Sequence, residues 1–128
     1  MRILVDTHAL LWWAHEPEKL SDAALDVMAD DRNTILVSAV SVMEIATKSR
    51  VGKLEYATPF ADSFLQSLAE LGFAPLPIDC HHAEKAGGLP GDHRDPWDRL
   101  LAAQASTEGL PLVTKDPRMA LWNVATIW

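Results

Sequence analysis

The stretch ILVDTHALL, residues 3–11, begins with three aliphatic residues, stops at one carboxylate and continues with a helical pattern. A short apolar run of this kind predicts a buried β-strand. Asp6 therefore lies at the carboxyl end of the first predicted strand. Thr7 is predicted to cap the following helix, which runs to His15. Because Thr7 takes the cap in this interpretation, Asp6 is left for a functional role.

Strands and helices alternate along the rest of the chain. Further strands are predicted at 34–38, in FAPLPI at 73–78, in LPLVT at 110–114 and in NVATIW at 123–128. The prolines of FAPLPI suit an edge strand. Strands separated by helices indicate a parallel sheet with helices on both faces, and ligands bind outside the carboxyl ends of such strands. The 128 residues are predicted to form one domain.

Capping residues set the predicted helix boundaries. Ser38 and Asp79 are predicted N-caps, each directly before a helical pattern. In TPFADSFLQSLAELG, Thr58 is the predicted N-cap, Pro59 the first helical residue and Gly72 the C-terminal stop. These signals separate the helices from the strands on either side.

The charge balance limits the kinds of function. There are 11 basic and 18 acidic residues, which gives a formal net charge of −7. Such a balance argues against a broad basic face for nucleic acid. It remains compatible with a nuclease, because carboxylates gathered around divalent cations add negative charge. No apolar run approaches the roughly 20 residues of a membrane span and no signal-peptide pattern is present, so the cytoplasm is the expected location.

Cysteine, histidine and tryptophan give weaker signals. Cys80 is the single cysteine, which excludes an internal disulfide and a cysteine-rich zinc site. The five histidines lack zinc-ligand spacing, and His81 and His82 are predicted on a helix surface. Of Trp12 and Trp13 on the first helix, one is expected in the core and one at a partner surface.

Three acids are predicted near the carboxyl ends of strands. Asp6 follows the first strand, Glu44 lies on the helix after the second, and Asp116 follows LPLVT. Each has a structural alternative: an Asx turn for Asp6, and an Asp-Pro turn for Asp116. Glu44 could close a capping box with Ser41, although Ser38 is better placed as the cap.

A fourth acid lies at the start of the helix DPWDRLLAAQASTEG. Asp95 precedes Pro96, which suits an N-cap before a first-turn proline. Asp98 then lies in the first turn and can project past the helix end. We assign Asp95 mainly to capping and Asp98 mainly to metal binding, although Asp98 could also complement the helix dipole.

The pattern as a whole resembles the PIN-domain ribonucleases, specifically the VapC-type toxins of bacterial toxin–antitoxin pairs. The matching stretches are ILVDTHALLWW, VSAVSVMEIATKSRVGKL, HRDPWDRLLAAQA and GLPLVTKDPRM followed by IW, in order over the chain. The resemblance implies a three-layer α/β/α sandwich, Mg²⁺ or Mn²⁺, cleavage of single-stranded or structured RNA, a small antitoxin partner and a homodimer. Carried over by position, the family's acids fall on Asp6, Glu44, Asp98 and Asp116.

The expected chemistry is hydrolysis of a phosphodiester. Mg²⁺ prefers oxygen ligands and keeps several waters, so a few carboxylates suffice. Asp6 and Asp98 are predicted as direct ligands, while Glu44 and Asp116 hold metal through water or orient the nucleophile. Thr7, Asp95 and Thr114 are candidates for contacts to phosphate or to water beside the metal ligands.

Two alternatives differ in kind from a metal-dependent nuclease. One is a phosphohydrolase of the haloacid-dehalogenase type with Asp6 as nucleophile, although those enzymes carry a second Asp two residues later, where this chain has His8. The other is a catalytically inactive module whose acids only receive a basic antitoxin.

Overall fold

The computed structural model describes residues 1–54, 63–92 and 95–128. Its elements are β1 (Arg2–Val5), α1 (Thr7–His15), a 3-10 helix (Pro17–Lys19), α2 (Asp22–Ala29), β2 (Thr34–Ser38), α3 (Ala39–Arg50), α4 (Phe64–Leu71), β3 (Ala74–Leu76), α5 (Cys80–Gly88), α6 (Pro96–Glu108), β4 (Leu112–Val113), a second 3-10 helix (Pro117–Trp122) and β5 (Thr126–Ile127). The predicted N-cap Thr58 and Pro59 lie outside the described residues.

The five strands form one parallel sheet in the order β3-β2-β1-β4-β5. β1 is central, and its residue Val5 pairs with Val37 of β2 on one side and Val113 of β4 on the other. β3 lies at an edge, as its prolines predicted. All five strands therefore end at the same side of the molecule, which brings the residues after β1, β2 and β4 together.

Helices cover both faces of the sheet, so the predicted α/β/α sandwich is confirmed. Strand side chains alternate between the faces. Ile3 and Val5 of β1 pack with residues of α1–α4, whereas Leu4 packs with α6 and the second 3-10 helix. Burial of these apolar faces supplies the main driving force for folding.

The helix boundaries follow the predicted caps at most positions. Ser38 accepts a hydrogen bond from the Val40 amide at the start of α3, and Asp79 accepts one from the His82 amide at the start of α5. Gly72 ends α4 in the left-handed conformation (φ 75°), which a residue with a Cβ adopts only at a cost. Among the described helices, none is long and apolar enough to cross a membrane.

Candidate active site

A pocket of about 190 Å³ brings the predicted acids together. Its lining includes the carboxylates of Asp6, Glu44, Asp98 and Asp116, together with Thr7 and Asp95. These acids come from four places in the chain: the end of β1, α3, the first turn of α6 and the turn after β4. The pocket therefore lies where the strand order predicted a ligand site.

Asp6 itself caps α1, so the prediction that Thr7 is the cap was wrong. The Asp6 backbone is extended, and its Oδ1 accepts a hydrogen bond of 2.7 Å from the Ala9 amide. Thr7 is already helical and buried, and its hydroxyl contacts the Ser41 hydroxyl at 2.9 Å. A carboxylate has two oxygens and about four acceptor sites, so capping leaves Asp6 able to bind a cation.

The Asp6 carboxylate is held in an unusual electrostatic environment. Burial raises its pKa, whereas hydrogen bonds from the Thr114 hydroxyl and the Ala9 amide lower it to a smaller extent. The Glu44 charge raises the pKa further to a smaller extent. The buried Thr114 Oγ1 also accepts a hydrogen bond of 3.0 Å from the Asp116 amide. Thr114 is not among the described residues that line the pocket, but its hydroxyl links two of the pocket's acids, Asp6 and Asp116.

Glu44 is positioned by contacts at the start of α3. Ser38 caps this helix, and its hydroxyl also donates a hydrogen bond to Gln104 Oε1 on α6. Ser41 lies inside α3 rather than at its cap, so the capping-box interpretation of Ser41 and Glu44 was wrong. The Thr7–Ser41 contact joins α1 to α3, and Glu44 follows Ser41 by one helical turn. Glu44 therefore faces the pocket beside Asp6.

The other two acids meet at one arginine. Asp95 caps α6 as predicted, with its Oδ1 accepting from the Trp97 amide at 2.9 Å. This leaves Asp98 in the first turn, where one of its carboxylate oxygens lies 3.2 Å from the Arg118 guanidinium. Asp116 caps the second 3-10 helix through the Arg118 amide, and it also lies 2.6 Å from the same guanidinium.

Three basic or histidine side chains of the pocket were missed by sequence reasoning. Lys48 donates to Glu44 at 2.8 Å, Arg118 pairs with two acids, and His8 lines the pocket next to Asp6. The Glu44–Lys48 spacing of four residues is a readable signal for a helical ion pair. Arg118 gave no signal, because its reach to Asp98 depends on how the second 3-10 helix turns.

His82 is buried, so its predicted place on the helix surface was wrong. The side chain is only 1% exposed. Its Nδ1 accepts a hydrogen bond of 3.0 Å from the Asp79 amide, and its Nε2 lies 2.8 Å from Glu108 Oε1. In the neutral ring, the nitrogen facing Glu108 then carries the proton. Asp79 and His82 thus form a capping box that fastens α5 to the end of α6.

The trio Asp79, His82 and Glu108 could hold a metal by distance alone. In the described ranges, it is a group whose ligand atoms all lie within 4.8 Å of one another. However, both ring nitrogens of His82 already make hydrogen bonds, and a metal would have to break one of them. Glu108 also lies ten residues after Asp98 on α6, a separation of about 15 Å along the helix. The trio is better explained as a structural contact remote from the pocket.

The donor set of the pocket fits a hard divalent cation. Its candidate ligands are carboxylate oxygens, which Mg²⁺ and Mn²⁺ prefer, and its described lining contains no thiol. Lys48 and Arg118 already pair with these acids, which shows that the pocket attracts positive charge. The burial of Asp6 makes an additional cation favourable there, because it offsets the cost of a charged carboxylate in a dehydrated site.

The fold and the acidic pocket define a known class of protein. The chain matches the PIN domain family over residues 3–122 and belongs to that family. The resemblance to VapC-type ribonucleases is likewise confirmed. The chain is 35% identical to Ribonuclease VapC22 of Mycobacterium tuberculosis over 121 residues, which cover 91% of this chain and 88% of that protein. It is 37% identical to Ribonuclease VapC16 of the same organism over 79 residues, 58% of this chain and 56% of that protein.

Solved structures share the fold. VapBC2 from Rickettsia felis, bound to a DNA fragment from its promoter, matches with a TM-score of 0.71 at 18% identity, over 98% of this chain and 97% of that chain. VapBC-5 from Mycobacterium tuberculosis, a toxin–antitoxin system, matches with a TM-score of 0.61 at 21% identity, over 98% and 97%. At these identities the likeness concerns the fold alone.

Proposed function

We propose that this chain is a divalent-metal-dependent endoribonuclease and the toxin of a toxin–antitoxin pair. The observation that carries the proposal is the meeting of four carboxylates from separate elements in one pocket. The similarity to a protein named as a ribonuclease over most of both chains supports RNA as the substrate. The fold shared with toxin–antitoxin complexes supports a protein partner.

Asp6 and Asp98 are the residues that would hold Mg²⁺, for which Mn²⁺ can substitute. Such a cation supplies water activation and charge neutralisation at the phosphate. The chain keeps Asp6 in place through the Ala9 amide and the Thr114 hydroxyl. Glu44 and Asp116 are left to hold the ion through water or to orient the nucleophile.

The reaction is hydrolysis of one phosphodiester bond. A water molecule is oriented by a carboxylate of Glu44 or Asp116, and its oxygen forms a bond to phosphorus. The bond from phosphorus to one ester oxygen breaks. The two protons of the water end on the new phosphate and on the released hydroxyl, so no oxidant or co-reactant is needed. Lys48 and Arg118 lie at the same pocket and can offset charge on the phosphate oxygens.

The test is cleavage of RNA by the purified protein with Mg²⁺ and with EDTA. We expect cleavage with Mg²⁺, loss in EDTA and loss in Asp6→Asn. The exposed Lys85→Gln, which changes a charge away from the pocket, should cleave like the wild type. Cleavage that continues in EDTA, or in Asp6→Asn, would refute the assignment.

The haloacid-dehalogenase alternative predicts a different product. It requires a phosphoryl group on Asp6, which radiolabelled phosphate would reveal on the denatured protein. His8 occupies the position of the second Asp of such enzymes, and the PIN family match also counts against this reaction. A binding module without activity would form its complex but cleave no RNA under any metal condition.

The partner is proposed to be a small antitoxin encoded next to this chain. The acidic pocket suits a segment that presents Arg or Lys, because a cationic side chain can pair with the acids and exclude metal or RNA. Co-expression of the adjacent small protein should restore growth and give a stable complex. We also propose a homodimer, as is usual in the family, which light scattering of the purified chain would detect.

A further inference from the structure

We propose that a basic groove next to the acidic pocket binds the RNA strand beside the scissile phosphate, with Trp12 as its base-stacking surface. The groove has a volume of about 430 Å³ and lies between α1 and the end of α3. Its described lining includes Trp12, Lys19 and Lys53. The inference rests on the proposed ribonuclease function and adds to it the path of the substrate.

The groove borders the acidic pocket. His8 and Lys48 line both cavities. A strand with one phosphate among the acids would therefore have its neighbouring nucleotides within reach of this groove. These two shared residues distinguish the groove from an isolated surface depression.

The charge of the groove is opposite to that of the chain. The protein carries a net charge of −7, yet three of its 11 basic residues, Lys19, Lys48 and Lys53, line this one cavity. Glu16 pairs with Lys19 at 3.1 Å and Glu44 with Lys48 at 2.8 Å, so the groove is a mixed but locally basic surface. Binding of a polyanion depends on such local contacts between Lys and phosphate. Charge complementarity therefore favours RNA over an acidic protein segment.

Trp12 supplies the second component of a single-strand site. Its indole is half-buried, as is Trp13, so neither residue is fully in the core. Trp12 lies 5.7 Å from the His8 ring and 5.8 Å from the Trp128 ring, and both rings are tilted relative to the indole, by 45° and 56°, so neither stacks flat on it. Proteins that bind single-stranded nucleic acid combine a basic groove with aromatic rings on which unpaired bases stack.

The experiment measures binding without cleavage. The probe is a fluorescein-labelled, random-sequence single-stranded RNA of about 12 nucleotides, titrated with protein in EDTA at several salt concentrations. EDTA prevents metal-dependent cleavage, and in its presence the acidic pocket repels phosphate, so affinity reports the groove. The variants are Lys53→Gln, Lys19→Gln and Trp12→Leu, with the exposed Lys85→Gln on α5 as the control.

We expect each groove lysine variant to bind more weakly than Lys85→Gln and to reduce the slope of log affinity against log salt by about 0.7, the value for one phosphate contact on a single strand. Trp12→Leu should weaken binding by about fivefold or more with an unchanged salt slope, because stacking releases no counterions. Melting temperatures show which variants fold. If Trp12→Leu does not fold, the variants of the two exposed lysines, Lys19 and Lys53, still test the proposal.

Lysine variants that bind and respond to salt like Lys85→Gln would overturn the proposal. It would also be overturned if they bind RNA normally but no longer form the antitoxin complex, since the groove would then serve the protein partner. The proposed ribonuclease function is tested separately, because binding in EDTA does not require cleavage. RNA binding through the groove by a protein that never cleaves would refute the enzyme assignment and leave the groove intact.

Discussion

The guanidinium of Arg118 reaches Asp98, twenty residues earlier in the chain and on another helix, at 3.2 Å. The same group lies 2.6 Å from Asp116. Asp98 is a proposed metal ligand and Asp116 a proposed contact to metal-held water. Arg118 therefore occupies carboxylate oxygens that a divalent cation would need, and the two must compete.

Arg118→Gln should therefore bind Mn²⁺ more tightly than the wild type. An exposed ion pair is worth about 0.2–1 kcal/mol, so the gain in affinity should be up to about fivefold. Calorimetric titration of the metal measures it. Lys115→Gln removes the same charge from a neighbouring exposed position and should have a smaller effect. Equal affinities in Arg118→Gln and wild type would show that the arginine does not compete.

Asp95→Asn and Asp98→Asn should differ in their rates of RNA cleavage. Asp98→Asn removes ligand charge and should lower the rate on the order of 100-fold, which corresponds to about 2.7 kcal/mol. Asp95→Asn should remain much more active, because asparagine caps a helix about as well as aspartate. An inactive Asp95→Asn beside an active Asp98→Asn would mean that their roles are exchanged.

The position of the pocket could be predicted because the carboxyl ends of the strands can be recognised in the sequence. Asp6 follows an aliphatic run and Asp116 follows LPLVT, and in a parallel sheet such ends share one side. The spacing of Glu44 from Ser38 placed it inside a helix that begins at the same side. These features depend on local pattern and on one rule of topology, so they needed no knowledge of packing.

The errors concern details that local pattern does not determine. Whether Asp6 or Thr7 caps α1 depends on which of two adjacent residues keeps an extended backbone. The burial of His82 depends on its contact with Glu108, 26 residues later. The spacing of Asp79 and His82 did contain a signal, because it matches a capping box with histidine in place of Glu or Gln.

His82→Ala should destabilise the protein without affecting metal binding. The change removes the bonds to the Asp79 amide and to Glu108 and leaves a cavity, with an expected cost of about 2–3 kcal/mol. His81→Ala is a matched control, because the neighbouring histidine is exposed and should change stability by less than about 0.5 kcal/mol. Urea unfolding measures both. Loss of bound metal in His82→Ala, in a folded sample, would instead support a metal at the trio.

The raised pKa of Asp6 predicts a pH dependence of stability. Folding raises this pKa above its ordinary value of 3.8, mainly through burial, so the folded protein binds the proton more tightly than the unfolded chain. The contribution of Asp6 to the free energy of unfolding should therefore fall as pH rises from 3.8 through the folded pKa, and stay level above it. Asp6→Asn has no carboxyl group at this position, so its free energy of unfolding should lack the part of the pH dependence that comes from Asp6.

At neutral pH in EDTA, Asp6→Asn should consequently melt at or above the wild type, since asparagine can still accept the Ala9 hydrogen bond without a buried charge. Mg²⁺ should raise the melting temperature of the wild type but not of the variant, because a ligand stabilises the folded state to which it binds. Asp31→Asn removes one exposed acid and should behave like the wild type in both respects. Thermal melts at about pH 4 and about pH 7 measure the pH dependence of stability, and melts with EDTA and with Mg²⁺ measure the effect of the metal. If Asp6→Asn melts well below the wild type in EDTA, the Asp6 charge is needed for the helix cap, and its assignment as a metal ligand loses its electrostatic support.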